Sequence, residues 1–327
     1  MDRILEYIVR EADMPETVNG IIGKLLKIKM KLTVGEISHA KFHEGGIRLI
    51  SNYGHEKKVT VKDRAQPGDM IRITLADEKS DEERIVPCEG PLNILYEDHD
   101  LVIVDKPAGT VVHPSHGHYF DSEANYLAHY YKEKGVDVIP RAVGRLDKDT
   151  SGVLMFAKNR PAAGRLFREK DENVCRKVYL AAVHGHFADE GSEMWNEISL
   201  PIGPVPGVLM KQQVAEPPIG KNAFTKYRVI EQTEADGIKM SLVETEILTG
   251  RTHQIRVHMA ATGHPLIGDP IYGEADRKYR RAMLHAERLI FTQPFEGKKY
   301  CIEAKIPTDF PEFRINTQKR LDDDTHG

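Results

Sequence analysis

The chain has 327 residues, 29% of them charged, and a formal net charge of −4 at pH 7. That length accommodates a sizeable core, most naturally one large domain and one small one, and the ordinary composition excludes a fibrous or disordered chain. The opening residues MDRILEYIVREAD carry charges throughout, which excludes a secretory signal, and no apolar run approaches the roughly 20 residues of a membrane-spanning helix. Three cysteines, Cys88, Cys175 and Cys301, are odd in number and far apart, so neither a disulfide framework nor a zinc site is expected, and a reducing cytoplasm is.

Residues 1–80 read as a separate small domain. Gly20 to Leu32 interleaves four lysines with apolar residues, and a second helix is expected over Val34–Phe42. After Gly45-Gly46 comes a β-like Ile47–Ile50, and the Pro67-Gly68-Asp69 turn leads into the alternating strand Met70–Leu75. The charged run Asp77–Arg84 reads as solvated, and residues 81–91 as a linker. Two short strands are expected on either side of the Glu97–Asp100 turn. The second runs into Lys106-Pro107-Ala108-Gly109, which brings Lys106 to a strand end where a phosphate could be met. His113, His116 and His118 lack a carboxylate or cysteine at ligand spacing, so no metal is expected there. A helix is expected over Asp121–Lys134.

The stretch Ala142–Lys158 places Asp147 between Arg145 and a Thr150-Ser151-Gly152 turn, followed by the apolar run Val153–Phe156. That run is short, β-prone and bounded by glycine, so it reads as a buried strand. A carboxylate on a loop held by such a strand suits reaction, and the neighbouring arginine favours its ionised form. The plainer alternative is a turn before a core strand with solvated charges. From Arg141 to Lys177 ten lysines and arginines face five acids, a local basic surface on an acidic chain that fits phosphates.

A helix is expected over Arg160–Glu169 and a strand over Arg176–Val183. Alternation puts Tyr179 on one face with Lys177, Ala181 and Val183, where a tyrosine alone reads as core packing. The proline- and glycine-rich residues 200–221 read as surface loop, and the sheet resumes by Val229. Residues 245–248 are strand-like, Gly250 is a break, and Thr252 is placed to cap a helix carrying His253, Arg256 and His258. The two histidines are five apart and do not share a face as a zinc pair would. Arg256 on that helix is expected to reach inward.

These blocks resemble, in order, those of RluA-type pseudouridine synthases. The match comprises Gly144-Arg-Leu-Asp-Lys-Asp-Thr-Ser-Gly152, Lys106-Pro-Ala-Gly109 with Val111-Val-His-Pro114, and Lys177-Val-Tyr-Leu-Ala181. It continues with Gly250-Arg-Thr-His-Gln-Ile-Arg-Val-His258, Gly263 to Gly273 and Met283-Leu-His-Ala286, spanning roughly Leu92–Phe291. Gly144 stands where RluA-type members often have histidine, a form also seen in the sister RsuA type. The N-terminal region resembles an S-four-like RNA-binding module, whose usual Asn-Gly appears here only as Ser51-Asn52-Tyr53-Gly54.

The resemblance implies an α+β fold: a mixed, mostly antiparallel central sheet with a catalytic cleft over residues 92–310, a small N-terminal α/β module, and a C-terminal tail over 311–327. It implies cofactor-free isomerisation of a uridine in RNA, with no metal. Asp147 is then the nucleophile, Tyr179 packs on the flipped base, and Arg256 pairs with Asp147. Arg145 fills the space the base leaves, and Lys106, Lys177, His253 and Gln254 are candidate substrate contacts. The expected partner is RNA, large-subunit ribosomal RNA first and transfer RNA second, met by a cytoplasmic monomer. The rivals are an RNA-binding chaperone on the same fold and a hydrolase built on the histidines.

Overall fold

A computed structural model describes residues 2–77, 84–171, 174–188, 194–274 and 276–313. Most of the charged run before Arg84 and the acidic Asp322–Asp324 lie outside the described residues. In the N-terminal part, β1 (Arg3–Ile8), α1 (Ile22–Ile28), α2 (Val34–Phe42), β2 (Ile47–Ile50), β3 (Glu56–Lys58) and β4 (Met70–Leu75) succeed one another. Their four-stranded sheet has the order β1-β4-β2-β3 and covers its own apolar core, in which Ile22, Leu25, Leu26, Ile71 and Ile73 are fully buried. Spacing explains α1: Ile22, Leu25 and Leu26 share its inner face, which leaves Lys24 and Lys27 exposed. Thr33 caps α2, accepting from the amide of Glu36, whose carboxylate accepts from the Thr33 amide in return.

The large part begins with β5 (Ile94–Glu97), β6 (Leu101–Lys106), α3 (Glu123–Glu133), β7 (Arg141–Ala142), β8 (Ser151–Ala157) and α4 (Arg160–Asp171). There follow β9 (Arg176–His184), β10 (Asn196–Ser199), β11 (Ile202–Pro204), β12 (Gln212–Val214), β13 (Phe224–Ala235) and β14 (Ile238–Ile247). The last elements are α5 (Gln254–Ala261), β15 (Leu284–Thr292) and β16 (Lys299–Glu303). The ten-stranded sheet runs β10-β13-β14-β9-β15-β8-β6-β5, with β16 on β15 and β7 on β8. Only the β15–β8 pairing is parallel among those described; the rest are antiparallel. The protein is therefore α+β with a mixed, mostly antiparallel sheet.

Two expectations are corrected here, and one strand goes beyond the sequence reading. Residues 200–221 carry the hairpin β11–β12 within their loops, because Ile202 and Val214 pair across it. Arg3–Ile8 forms an edge strand on β4. Asp77 is buried rather than solvated: it accepts from the amide of Arg160 at 2.9 Å and lies 3.3 Å from Arg141 Nη1. It thus joins the two parts, together with Arg165 on Glu36 at 2.8 Å and Arg3 on Asp100 at 3.2 Å. Phe295 lies under both arginines, its ring centre 5.0 Å from Arg3 and 4.3 Å from Arg165.

Charge is also buried within the large sheet. Glu244 on β14 accepts from Arg228 Nε of β13 at 2.8 Å and from Arg288 Nη2 of β15, and all three side chains are buried. Removing the carboxylate would take from two buried guanidinium groups the anion that both of them bind. Glu244→Ala is expected to lower the unfolding free energy by about 3–5 kcal/mol in a denaturant titration. A loss under about 1 kcal/mol, the range of exposed pairs, would contradict the buried network.

Candidate active site

A cleft of about 500 Å³ lies between the loop that leads into β8, the first half of β9, the segment from the end of β14 into α5, and Leu284. Its walls include Arg145, Asp147, Lys177, Tyr179 and the loop Leu248–His253. Asp147 is half-buried, on the loop that feeds β8. That strand is buried at all seven positions, as the apolar run dictates, and it lies between β15 and β6. The junction is tight. Gly152 has φ +111, and a Cβ there would stand 2.1 Å from the Ala286 carbonyl oxygen, so only glycine permits the close pairing with β15.

Three buried side chains secure the loop through its neighbours. Lys106 donates from Nζ to the carbonyls of Pro107 and Thr110, each at 2.8 Å, and of Lys148 at 3.0 Å. Burial lowers its pKa to about 8, and the nearby Glu123 and Asp149 charges act against that fall. His285 is held neutral, its pKa lowered to about 4 by burial. Its Nε2 faces the Ala304 carbonyl at 3.3 Å and so carries the proton, which leaves Nδ1 to accept from Ser151 Oγ at 2.9 Å. Arg281 donates to the Asp149 carbonyl at 3.1 Å. The Asp147 carboxylate itself takes no hydrogen bond from any described residue.

The expected residues fall into three groups. Asp147, Tyr179, Arg145, Lys177, His253 and Gln254 all line the cleft. Tyr179 is 4% exposed, and its hydroxyl has no hydrogen-bond partner among the described residues. Burial, reinforced by the negative charge of Asp147, raises its pKa and keeps it protonated. Arg145 is exposed at the rim and forms no ion pair with Asp147. Gln254 lines the wall but is committed to the scaffold, accepting from Thr249 Oγ1 and the Arg251 amide and donating to Phe224 O and Thr225 Oγ1. His253 Nδ1 lies 2.9 Å from the Tyr272 hydroxyl; burial lowers its pKa, against the pull of Asp147.

Two expectations are overturned. Lys106 does not await a phosphate: it is fully buried and its donors are taken by three carbonyls. Arg256 does not pair with Asp147. Its Nε and Nη2 grip the two oxygens of Asp269, both at 2.7 Å, and both side chains are buried. Burial would raise the Asp269 pKa, but the Arg256 bonds and charge and the amides of Ile271 and Tyr272 hold it below its usual value. Asp147 reaches Arg256 only through its field. The cap is displaced as well: α5 begins at Gln254, after His253 at φ +55, and Thr252 does not cap it. Asp269, Arg281 and His285 are neighbours of the site that the sequence reading did not single out, although Gly-Asp-Pro and Leu-His-Ala stand within matched blocks.

Gly144 has φ +85, in the left-handed region. Histidine is among the residues enriched there after glycine, so either residue suits the turn. Among the described residues no group of three or more His, Cys, Asp or Glu side chains is arranged to hold a metal, and no helix is long and apolar enough to cross a membrane.

Residues 100–261 match the RNA pseudouridylate synthase family. A Bacillus subtilis (strain 168) protein named uncharacterized RNA pseudouridine synthase YhcT is 31% identical over 307 residues, which cover 94% of this chain and 95% of that one. Ribosomal large subunit pseudouridine synthase D of Escherichia coli (strain K12) is 36% identical over 267 residues, 77% of each chain. Among solved structures, human RNA pseudouridylate synthase domain containing 1 superposes with a TM-score of 0.58 at 26% identity, covering 72% of this chain and 96% of that chain. The chain belongs to the RNA pseudouridylate synthase family, of the RluA type, and is an RNA pseudouridine synthase.

Proposed function

We propose that the enzyme isomerises uridines of large-subunit ribosomal RNA and that Asp147 is its nucleophile. The observation that carries the second point is a carboxylate that lines the cleft, is engaged by no described protein donor, and sits on a loop secured through its backbone and neighbours. Attack by that carboxylate on the sugar carbon breaks its bond to N1 of the base; the turned base then bonds through C5 to that carbon and displaces the carboxylate, and C5 gives up its proton while N1 takes one. A uracil must leave its stack to reach the cleft. The Tyr179 ring then packs against it, while Arg145 at the rim enters the space left behind and Lys177 meets the backbone. Arg256, paired with Asp269, acts on Asp147 through its field.

The ribosomal assignment rests on the names of relatives, several of which act on the large subunit. The exposed Lys24 and Lys27 of α1 make the N-terminal part a second RNA-binding surface in this reading. Cys88, Cys175 and Cys301 form no disulfide with one another, which fits the cytoplasm, and a monomer is the assembly of this reading.

Mapping pseudouridine in total RNA from cells with and without the gene tests the substrate. Loss of one or a few sites in large-subunit ribosomal RNA, restored by the wild-type gene, is expected; loss confined to transfer RNA would contradict the assignment. Lys106 offers a second check. Lys106→Met is expected to leave the slope of log Kd against log salt unchanged, whereas Lys177→Ala, at the residue given to the backbone, reduces its magnitude by about 0.7–0.9, the effect of one phosphate contact. A reduced slope in Lys106→Met would restore the lysine to the RNA interface.

A further inference from the structure

Arg281, in the segment before β15, reaches the back of the Asp147 loop from far along the chain. Its side chain is buried. Nη1 donates to the carbonyl of Asp149 at 3.1 Å and to those of Ala282 at 3.2 Å and Leu284 at 3.3 Å. Leu284 lines the cleft, so one guanidinium joins the cleft wall to the loop that carries the carboxylate. Nε and Nη2 are occupied by the two oxygens of Asp309, at 2.7 and 2.8 Å. Asp309 belongs to the segment after β16, which is anchored by the buried Phe310 against Tyr279, Met283 and Ile267.

The fork geometry makes the arrangement directional. With Asp309 engaged by two parallel bonds, the guanidinium plane is fixed, and Nη1 is left pointing at the loop. A lysine carries the same charge, but its three donors radiate from one nitrogen, so it cannot reproduce the planar two-bond grip on Asp309 that aims Nη1 at the Asp149 carbonyl. The tie falls two residues beyond Asp147 and two before Ser151, where β8 begins. Within this span the loop supplies one backbone bond of its own, the Thr150 amide on the Asp147 carbonyl at 3.1 Å.

We propose that Arg281 is a positioning residue for the isomerisation and that Asp309, from the C-terminal segment, holds it in that role. Arg281 touches neither the cleft's substrate space nor the Asp147 carboxylate; it fixes the Asp149 carbonyl and so the direction in which Asp147 enters the cleft. The proposal rests on Asp147 as the reacting group. Displacement of a reacting atom by about 1 Å costs about 100-fold in rate, whereas binding along the rest of the RNA is unaffected by it.

The test compares wild-type, Arg281→Lys, Asp309→Asn and Asp147→Asn full-length proteins on one RNA. It measures the single-turnover rate at saturating enzyme, the RNA Kd, the melting temperature and hydrogen exchange of the Thr150 amide. Arg281→Lys is expected to lower the saturating rate about 10- to 100-fold and Asp309→Asn about 3- to 10-fold, with Kd within about 3-fold in both and faster Thr150 exchange. Asp309 is half-exposed and asparagine keeps its shape, so this variant decides the matter if Arg281→Lys fails to fold. A wild-type saturating rate in either folded variant, or a fall in rate matched by the fall in RNA affinity, overturns the proposal. Should Asp147→Asn retain turnover, the nucleophile assignment fails instead; unchanged Thr150 exchange in Asp309→Asn would then still reject the tie itself.

Discussion

A carboxylate that is to attack a sugar must be held still without being held by its own oxygens, because every protein donor on those oxygens competes with the substrate. The Asp147 loop meets that constraint through its neighbours. Lys106 takes the Lys148 carbonyl, Arg281 the Asp149 carbonyl, and His285 the Ser151 hydroxyl. These three side chains come from β6, the segment before β15, and β15 itself, so the loop is fixed by the same strands that flank β8. Gly152 allows β8 and β15 to approach closely enough for this to work. Buried donors are effective here because water does not compete for the carbonyls, and because leaving such a group unpaired is itself costly.

The charge around the cleft is organised in the same spirit. Arg256 and Asp269 neutralise one another in a two-bond pair whose carboxylate also accepts from two backbone amides. The pair is oriented by its own contacts and leaves Asp147 under an arginine's field without a direct bond. Tyr179 and His253 are both buried in their neutral forms, so this part of the wall carries no charge. Arg145 is exposed at the rim, where the proposed reading has it meet the RNA.

Much of this was legible in the sequence because it follows from local periodicity. The Val153–Phe156 run between Gly152 and Lys158 has no reading other than a short buried strand, and alternation from Lys177 fixes which face Tyr179 shares. The helix carrying Arg256 and His258 was legible too, but not its start at Gln254 or the partner of Arg256. A guanidinium on that helix has several acids in reach of the chain, and the choice of Asp269 depends on the turn that brings Ile271 and Tyr272 amides to the same carboxylate. Lys106 misled for a different reason: lysines are almost always exposed, and nothing in Lys-Pro-Ala-Gly announces three inward-facing carbonyls. Arg3–Ile8 alternates half-buried and exposed residues, an edge pattern too weak to separate from a charged terminus.

The central claim is that one carboxylate does the chemistry and the rest of the cleft positions RNA and base around it. Its most direct test is Asp147→Asn in the purified protein, an isosteric change that removes the negative charge, with pseudouridine formation and RNA affinity measured on the same transcript. The account predicts no detectable turnover with RNA affinity within about 3-fold of wild type, the pattern of a group needed only in the transition state. Turnover retained within about 10-fold would place the nucleophile elsewhere and contradict the account.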